Sequence, residues 1–530
     1  MKYPPTNPEA PETNWLVNWP PSVVWSNNIG RGCGSVAVYD GRLYAVGANG
    51  NGSDDIVYCF NARTGDLIWS NMYTLSTTNP YGPQSTPTVT SNEVYVMSHD
   101  NQLHCYNRFD GQLQWATSFF TPLPGYNASG SPLVVDDLVI VNAGKYGTAV
   151  RRAVPHDIVW GDVDDGTACG YASPVPCTVG SVDCVAILDA HSTVNIVPVA
   201  TPSATPVITH DLREDIGDVY GDPIVYGDQL FFCGSSGAAM YTVGADTLAL
   251  DWAGSYYETL MGQYMNCVIV GGYIYGVRLA YFSPAWVPCI TCVSADTKAT
   301  QWVRKFGDEG LPQRGYPSIQ MMAADNKIVM LNIDGQVNVI DASPAGYVDA
   351  GDWIAPFASV DSEGEFTTPV VADGLLYCRS MAGVLVCYQI GNANARADND
   401  GDGLPDTWER RYFRSRNDCA PGTDSDGGGQ SNGDEFATGT QPTNAASALE
   451  ATIVIAGQEV VVACDAKAAD TIECAGKARY YTFESRANLL NGPWEGVPGF
   501  VDVVGDDTTI VYTNTSAAPA QFYRVKAALR

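Results

Sequence analysis

In Asn61-Ala-Arg-Thr-Gly-Asp-Leu-Ile-Trp69 the central residues predict a tight turn between two short runs of alternating residues. The second run ends on a tryptophan. The pattern returns as Asn107-Arg-Phe-Asp-Gly-Gln-Leu-Gln-Trp115, and residues 244–252 and 294–302 keep the same offset. Because a turn between alternating runs is typical of a β-hairpin, each copy predicts two antiparallel strands. The tryptophans recur at one structural position, which indicates packing between repeats rather than ligand stacking. They follow at intervals of about 46 residues, one interval being doubled: Trp25, Trp69, Trp115, Trp160, Trp252, Trp302 and Trp353.

A second hairpin precedes these turns, as in Ser35-Val-Ala-Val-Tyr-Asp-Gly-Arg-Leu-Tyr-Ala-Val46. Two hairpins give four strands per repeat, which is the signature of a β-propeller blade. Hairpins start near residues 35, 87, 132, 174, 223, 266, 317 and 369, so the sequence predicts eight blades. The irregular segment 173–222 leaves seven as the alternative. The last repeat ends at Ile390 without a fourth strand, and we expect residues 23–26 to supply it and close the ring.

The repeat resembles the pyrroloquinoline-quinone-type (PQQ-type) repeats of quinoprotein-alcohol-dehydrogenase-like propellers, in which Asp or Asn, Thr-Gly and a tryptophan strand follow one another. The resemblance covers residues 20–390 and implies the propeller fold. It also implies an alternative function, a PQQ-dependent dehydrogenase. The dehydrogenases of that family carry adjacent cysteines beside the quinone, and this sequence contains no Cys-Cys pair. The family includes cofactor-free scaffolds and surface proteins, so we expect a non-enzymatic member.

The fifteen cysteines are not spaced like those of a disulfide-dense miniprotein. Four of them share one position in the repeat, which indicates a packing role: Cys59, Cys105, Cys292 and Cys387. Cys289-Ile-Thr-Cys292 has metal-ligand spacing, but it lies on a predicted strand without a second such pair, so we interpret it as packing. Two disulfides are predicted. Cys378 and Cys387 flank a tight hairpin and are expected to pair across it, and Cys464 and Cys474 flank a loop and are expected to pair in an oxidising compartment.

A different composition begins after Ile390, where a linker leads into Asp398-Asn-Asp400-Gly-Asp402-Gly403-Leu-Pro-Asp406-Thr-Trp-Glu409. Carboxylates stand at positions 1, 3, 5, 9 and 12 of this stretch, with glycine at position 6, as in EF-hand-type calcium loops. Calcium prefers oxygen ligands, and a tight loop turns the side chains of positions 1, 3 and 5 toward one ion. The predicted ligands are Asp398, Asp400, Asp402, the carbonyl of Leu404, Asp406 and Glu409.

A second loop of this type is Asp424-Ser-Asp426-Gly-Gly-Gly-Gln430-Ser-Asn432-Gly-Asp-Glu435. Its position 5 is Gly428, so one ligand is missing, and we expect a lower affinity or a water in that place. The alternative for both segments is a disordered acidic linker. The predicted ligands of the second loop are Asp424, Asp426, Gln430 at position 7, Asn432 and Glu435.

The two loops resemble the thrombospondin type 3-like and dockerin-like calcium modules of secreted bacterial proteins, which exit through Gly-Thr-x-Pro-Thr as residues 439–443 do here. The resemblance covers residues 397–447 and implies a structural spacer. Cytosolic free calcium is too low to fill such loops, which favours an extracellular or cell-surface location, although the sequence shows no signal peptide. Residues 448–530 alternate again and predict a small β-sandwich, which resembles the one that ends many verrucomicrobial-type surface proteins.

The chain is therefore expected to be all-β apart from a short calcium-binding loop-helix module. We predict a Pro-rich arm at residues 1–21 and a β-propeller at 22–390, closed by its N-terminal strand. A linker with tandem calcium loops at 391–447 and the β-sandwich at 448–530 complete the chain.

The charge of the chain limits its partners. It carries 58 acidic against 28 basic residues, a net charge of −30, so it is not suited to a phosphate backbone and nucleic acid is not expected. No stretch is long and apolar enough for membrane insertion. We expect a secreted bacterial structural or adhesive protein, stabilised by calcium, that assembles into a surface layer or filament. Its expected partners are further copies, bound through the N-terminal arm or the C-terminal sandwich, or surface glycans. A carbohydrate-binding propeller is a further alternative.

Overall fold

The computed structural model of the chain consists of two units, Met1–Ala393 and Asn394–Arg530. Within the described residues, no helix has both the length and the apolar character needed to cross a membrane. The structure describes residues 16, 19–76, 78, 81–119, 129–161, 169–200, 205–262, 266–283, 285–305, 319–324, 326–332, 334–351, 354, 367–391, 402–405, 408–409, 412–413, 419–456, 459–469, 474, 477–515 and 521–530.

Eight four-stranded antiparallel sheets build the described part of the first unit, and in seven of them the strands follow one another in chain order. Sheets 1 to 4 contain, four strands at a time, β2 (Ala37–Tyr39), β3 (Arg42–Ala48), β4 (Asp54–Asn61), β5 (Leu67–Thr74), β6 (Thr88–Val89), β7 (Glu93–Met97), β8 (Gln102–Asn107), β9 (Leu113–Ser118), β10 (Leu133–Val135), β11 (Leu138–Val141), β12 (Thr148–Arg151), β13 (Ile158–Trp160), β14 (Val175–Val179), β15 (Val182–Leu188), β16 (Thr193–Pro198) and β17 (Ile208–Asp211).

A short helix, α1 (Arg213–Ile216), follows sheet 4 in the sequence. Sheets 5 to 7 contain β18 (Ile224–Tyr226), β19 (Gln229–Cys233), β20 (Gly237–Val243), β21 (Leu248–Ser255), β22 (Val268–Val270), β23 (Tyr273–Phe282), β24 (Ala285–Ser294), β25 (Thr300–Lys305), β26 (Ile319–Ala324), β27 (Lys327–Asn332), β28 (Val337–Asp341) and β29 (Asp349–Gly351). Sheet 8 contains β30 (Val370–Ala372), β31 (Leu375–Arg379), β32 (Val384–Gln389) and β1 (Ser22–Asn28). Successive sheets of this kind confirm the all-β propeller fold, and the number of blades stays a prediction.

The first strand of the chain completes the last sheet of the first unit. β1 pairs antiparallel with β32, in a register that runs from Ser22 opposite Gln389 to Asn28 opposite Val384. The strand thus covers the edge of β32 that would otherwise present unpaired N–H and C=O groups. This is the strand that the sequence predicts for this place, and its pairing links the two ends of the first unit.

The repeat tryptophans join neighbouring sheets, because each of five donates its indole N–H to a backbone carbonyl in the outer turn of the next sheet. The bonds run from Trp25 to Ala62, Trp69 to Arg108, Trp160 to Val199, Trp252 to Ala295 and Trp302 to Ser343. The Thr-Gly turn leaves room for the ring: Gly65 has φ of +76°, and a Cβ there would lie 2.7 Å from the Trp25 ring. The predicted packing role of the tryptophans is confirmed for these five; Trp353 lies outside the described residues.

A second set of contacts between sheets, called the inner seam below, runs along the inner side of sheets 1 to 5, two residues before the start of each first strand. There a side-chain oxygen accepts the backbone N–H of the equivalent residue in the preceding sheet. The bonds run from Ser35 N to Thr86 Oγ1 (2.9 Å), Thr86 N to Ser131 Oγ (3.0 Å), Ser131 N to Ser173 Oγ (3.0 Å) and Ser173 N to Asp222 Oδ1 (2.5 Å). These bonds provide partners for backbone donors between one sheet and the next.

None of the fifteen cysteines, all of which lie among the described residues, forms a disulfide. The four that share a repeat position are fully buried, so their predicted packing role is confirmed. Cys289 and Cys292 stand three residues apart on β24 and therefore point to opposite faces of sheet 6, which excludes one site formed by both. They too act as small apolar residues of the core.

The two predicted disulfides are wrong. Cys378 lies opposite Val386, the residue next to Cys387, so the two cysteines point to opposite faces of sheet 8. Cys464 belongs to the core of the C-terminal sheets, whereas Cys474 packs in a separate cluster with Leu404, Trp408 and Phe436. Both pairs were predicted because they flank a hairpin or a loop, and that position does not determine the face on which a side chain lies.

The described end of the N-terminal arm packs on its own propeller. Leu16 and Trp19 contact the hydrophobic cluster of sheets 7 and 8, which includes Leu331 and Val386. A Cβ on Gly351 would lie 2.6 Å from the Trp19 ring, so this ring rests directly on the backbone. Residues 1–15, which belong to the arm predicted to bind a neighbouring copy, lie outside the described part of the chain.

The second unit contains two antiparallel sheets in its described residues, together with α2 (Asn432–Thr438). Its strands are β33 (Ala451–Ala456), β34 (Glu459–Ala466), β35 (Arg479–Arg486), β36 (Glu495–Gly496), β37 (Val503–Val504), β38 (Thr508–Asn514) and β39 (Phe522–Leu529). One sheet has the order β33-β34-β38, and in the other β35 pairs with β36, β37 and β39. The two sheets, called the C-terminal sheets below, share a core that contains Val462, Tyr481, Phe483 and Val497.

Arg479 of β35 joins α2 to the C-terminal sheets. Its Nε donates to the carbonyl of Ala437 (3.1 Å) and its Nη2 to the carbonyl of Phe436 (3.4 Å). The helix ends at Gly439, whose φ of +78° is typical of a C-terminal cap. A cation that binds the last carbonyls also complements the negative end of the helix dipole. The segment predicted to bind calcium and the C-terminal sheets are therefore held together in one unit.

Candidate functional site

Residues 424–431 form a loop that leads directly into α2, and the predicted ligands Asn432 and Glu435 lie in the first turn of that helix. The predicted calcium loop, residues 424–435, is called the second loop below. Ser431 stands at the N-cap, where its hydroxyl oxygen accepts the backbone N–H of Asp434 (3.2 Å). The Ser431 hydroxyl also donates to the Asp434 carboxylate (2.7 Å), which places a negative charge in the first turn of the helix. Local sequence therefore determines where the loop ends and the helix begins.

The glycines of the loop wrap the backbone around two aspartates. The carboxylate of Asp424 accepts the N–H groups of Gly427 and Gly429, both at 2.8 Å, and Asp426 Oδ1 accepts the N–H of Gly428 at 2.8 Å. Gly427 and Gly429 have φ of +77° and +87°, in the left-handed region that side chains rarely adopt. The glycine run thus supplies the tight turn that a calcium loop requires.

Three oxygen atoms of this loop are buried without a hydrogen-bond partner among the described residues: Asp426 Oδ2, Asn432 Oδ1 and Glu435 Oε2. Asn432 donates its Nδ2 hydrogen to the carbonyl of Ala420 (2.9 Å), which leaves its oxygen for another partner. Buried polar atoms are nearly always paired in folded proteins, so three such oxygens on one short loop require an explanation. Carboxylate and amide oxygens are the ligands that calcium prefers, and the donor set therefore fits this ion.

The electrostatics of the loop also favour a cation. Burial raises the pKa of the Glu435 carboxyl to about 7, and the negative charges of Asp426 and Asp424 contribute to the rise. A carboxyl whose pKa is raised in the folded state stabilises that state below its ordinary pKa, and this stabilisation is lost as the pH rises through the folded value. Near neutral pH the loop thus has a charge conflict, which a bound divalent ion would relieve.

Gln430 has a different side-chain role from the other predicted ligands. Its Oε1 accepts the backbone N–H of Leu449 (2.7 Å), just before β33 begins. The sequence predicts a ligand from position 7, where EF-hand-type loops use the backbone carbonyl, and that prediction stays untested. The side chain instead ties the loop to the first strand of the C-terminal sheets.

The first loop is described only in part. Leu404 donates its backbone N–H to Asp402 Oδ1 (2.9 Å), and the carbonyl of Pro405 accepts the N–H groups of Trp408 (2.8 Å) and Glu409 (3.1 Å) in a helical turn. Glu409 is fully buried. The remaining predicted ligands of this loop, Asp398, Asp400 and Asp406, lie outside the described residues.

The two loops share a small hydrophobic core. Leu404 and Trp408 pack with Phe436 of α2, and the rings of Trp408 and Phe436 are 5.4 Å apart. Leu404 therefore contributes a buried side chain in addition to the carbonyl that the sequence predicts as a ligand. The two predicted calcium loops are therefore in contact through this core.

No three Asp, Glu, His or Cys side chains converge into a metal-binding group within the described part of the chain. In the second loop the candidate set includes the amide oxygen of Asn432 and a backbone carbonyl besides the carboxylates. Calcium binding at either loop remains a prediction.

A buried polar cluster lies between sheets 1 and 2, and the sequence did not point to it. Asp55 is fully buried; its Oδ2 accepts the hydroxyl hydrogen of Tyr73 (3.1 Å), and burial raises the pKa of Asp55 to about 6. The ring of His104 stacks on Tyr73 at 4.3 Å, and burial lowers the pKa of His104 to about 4, so this imidazole is neutral near pH 7. The signal was available, since Asp54-Asp55 starts a strand whose alternate residues face the core.

Comparison with known proteins supports the architecture. A family model described as outer membrane protein assembly factor BamB matches residues 20–167 and 53–304, and the two matches together cover more than half of the chain. The chain belongs to this family. No curated protein matches the sequence.

Solved structures are similar to this chain at low sequence identity. The crystal structure of BamB from Moraxella catarrhalis is 14% identical, with a TM-score of 0.50 over 70% of this chain and 99% of that chain. Two quinohemoprotein alcohol dehydrogenases are each 13% identical to this chain. One is ADHIIG from Pseudomonas putida HK5, and the other is the enzyme from Comamonas testosteroni. They cover 70% of this chain and 76% of their own, with TM-scores of 0.46 and 0.47. Identities in this range show the fold alone.

Proposed function

We propose that this BamB-family propeller is an exported bacterial protein with a structural or adhesive, non-enzymatic role, and that calcium stabilises its second unit. The observation that carries the proposal is the set of three buried oxygens on the second loop, Asp426 Oδ2, Asn432 Oδ1 and Glu435 Oε2. Bound calcium would supply the positive charge and the ligand partner that these atoms lack. Loops of ordinary affinity fill only outside the cytosol, which supports export.

The construction of the first unit supports a structural role. The repeat tryptophans make contacts between one sheet and the next. An example is the 2.7 Å hydrogen bond that Trp252 Nε1 donates to the carbonyl of Ala295. The buried Asp55, Tyr73 and His104 likewise lie between sheets. Such a propeller is a rigid platform on which loops can present a binding surface.

Edge strand β33 supports self-association. It pairs with β34 on one side, and its five described side chains, Ala451 to Ile455, are exposed. Ile453, Val454 and Ile455 are 48%, 53% and 74% exposed, and the strand carries no charge. An uncharged, apolar edge strand is a template for pairing with another strand. An antiparallel pair of two β33 strands would place apolar side chains opposite each other without bringing charges together.

The calcium proposal is tested by isothermal titration of the full chain after removal of divalent ions. We expect heat from calcium binding, and we expect Glu435→Gln to weaken it at the second loop because the charged ligand at position 12 is lost. At a calcium concentration of about 100 Kd, binding adds about 2.7 kcal/mol to the free energy of unfolding.

The matched control is Glu450→Gln, the same chemical change at an exposed position before β33. It should leave calcium binding unchanged. Absence of calcium binding to the wild-type chain, or equal weakening by both substitutions, would refute the assignment of the second loop.

A further inference from the structure

Sheet 6 carries the longest hairpin among the described strands. β23 and β24 have ten residues each, whereas the other described strands have at most eight. Their register continues to the tip, with Tyr281 opposite Trp286 and Phe282 opposite Ala285. A blade needs no such length, because the partner strands β22 and β25 have three and six residues. The additional residues therefore extend the hairpin beyond the rest of its sheet.

Aromatic rings gather at the tip of this hairpin. Trp286 lies 5.6 Å from Tyr281 and 4.3 Å from Tyr257, which belongs to the segment after β21. Tyr256 continues the row at 4.2 Å from Tyr257. Tyr281, Trp286 and Tyr257 are 57%, 49% and 38% exposed. Together with the half-buried Tyr256 they form a continuous row of rings, called the aromatic row below.

Hydrogen bonds hold the aromatic row in place. The backbone N–H of Leu279 donates to the carbonyl of Tyr256 (3.1 Å), and Arg278 Nη1 donates to the carbonyl of Glu258 (3.0 Å). The hydroxyl of Tyr256 donates to that of Tyr257 (3.1 Å). The segment after β21 is therefore fastened to β23, and the rings are ordered before any ligand arrives. Such preorganisation lowers the entropy cost of binding.

The folding of the propeller does not account for this row. The repeat tryptophan Trp252 is 8% exposed and bonds to the next sheet, whereas Trp286 falls outside the repeat and remains half exposed. Single exposed apolar residues are normal, but several exposed rings in contact mark an interaction site. Tyrosine and tryptophan suit this role because each combines a large apolar face with a polar edge.

We propose that the aromatic row binds a neutral polysaccharide by stacking its rings against the C–H faces of the sugars. The tyrosine hydroxyls provide hydrogen-bonding groups for the sugar hydroxyls that lie beside a stacked ring. The net charge of −30 opposes polyanionic ligands, which excludes nucleic acid and disfavours acidic glycans, but it does not affect an uncharged chain. The inference makes the adhesive part of the proposed function specific and is independent of calcium binding.

The test is affinity electrophoresis of the full chain in native gels that contain β-glucan, galactomannan or arabinoxylan, with hyaluronan as the polyanion. We expect at least one neutral polysaccharide to retard the protein and hyaluronan not to retard it. Trp286→Ala should weaken the retarding interaction about tenfold or more, because the central ring of the row is lost. Trp286→Tyr keeps a ring and should retain most of the binding.

Leu250→Ala is the control for lost apolar surface, since Leu250 is 48% exposed on β21 of the neighbouring sheet. It should leave the retardation unchanged. Trp286 is exposed, so the melting temperature of Trp286→Ala should match the wild type and exclude misfolding. The proposal is overturned if no neutral polysaccharide retards the chain, if only hyaluronan does, or if Trp286→Ala binds like the wild type. Failure here would leave the calcium titration unaffected.

Discussion

The two units of this protein use their polar residues in opposite ways. In the first unit hydrogen bonds join one sheet to the next, as from Trp252 Nε1 to the carbonyl of Ala295 and from Thr86 N to Ser131 Oγ. The buried polar atoms of that unit that lack a partner among the described residues, such as Asp55 Oδ1, Asn195 Nδ2 and Asn338 Oδ1, lie on different sheets. In the second unit one loop buries oxygens that lack a hydrogen-bond partner, such as Glu435 Oε2 and Asn432 Oδ1. Unpaired atoms on different sheets do not form an ion site, whereas three unpaired oxygens on one short segment call for a ligand from outside. The difference predicts that only the second unit responds to calcium.

The largest expected effect on stability comes from the tryptophan contacts between neighbouring sheets of the first unit. Trp252→Ala removes a buried ring together with its hydrogen bond, and it should lower the free energy of unfolding by about 3–5 kcal/mol. Calcium affinity should not change, because the substitution lies in the other unit. Chemical denaturation and calcium titration of the same variant measure the two quantities.

Trp286→Ala is the matched control, since it deletes the same side chain at an exposed position on the adjacent sheet. Its cost should stay within about 0.5 kcal/mol. Similar costs for the two variants would contradict the assigned role of the repeat tryptophans.

A smaller effect is expected at the inner seam. Ser131→Ala removes the oxygen that accepts the backbone N–H of Thr86, and it should cost about 0.5–1.5 kcal/mol. Ser131→Thr keeps a hydroxyl and should restore most of the loss. Thermal unfolding compares the two variants, and equal melting temperatures for Ser131→Ala and the wild type would show that the seam is not a source of stability.

The smallest effect on stability is expected at β33, where the consequence is association instead. Ile455→Lys places a charge on an exposed edge strand and should change the free energy of unfolding by less than about 0.5 kcal/mol. Sedimentation velocity should show a wild-type chain that self-associates and a variant that does not. Val504→Lys, on the other sheet, serves as the control. A wild-type chain that stays monomeric at high concentration would contradict the proposed self-association through β33.

Much of the first unit could be predicted from the sequence, because its signals repeat. The Asn61–Trp69 pattern predicted the hairpins, and the missing last strand predicted the pairing of β1 with β32. The inner seam was missed because its members are of three kinds, Ser, Thr and Asp, and only their place two residues before the first strand is constant. Spacing along the chain cannot reveal a hydrogen bond between equivalent residues of different sheets.

The errors and omissions have physical causes. The predicted bridge between Cys378 and Cys387 failed because strand register places them on opposite faces. The sequence predicted residues 424–435 as a calcium loop, but only the structure shows which of their oxygens lack hydrogen-bond partners. The aromatic row combines residues from two segments and depends on the length of one hairpin, which local patterning did not reveal.

The central claim is tested most directly by hydrogen–deuterium exchange of the full chain with saturating calcium and with chelator. The account predicts that chelation increases exchange in the loop at residues 424–435 and in α2, while β3 and β4 of the propeller are unchanged. A loop whose exchange is the same in calcium and in chelator would contradict the account, as would a propeller that responds as strongly as the loop.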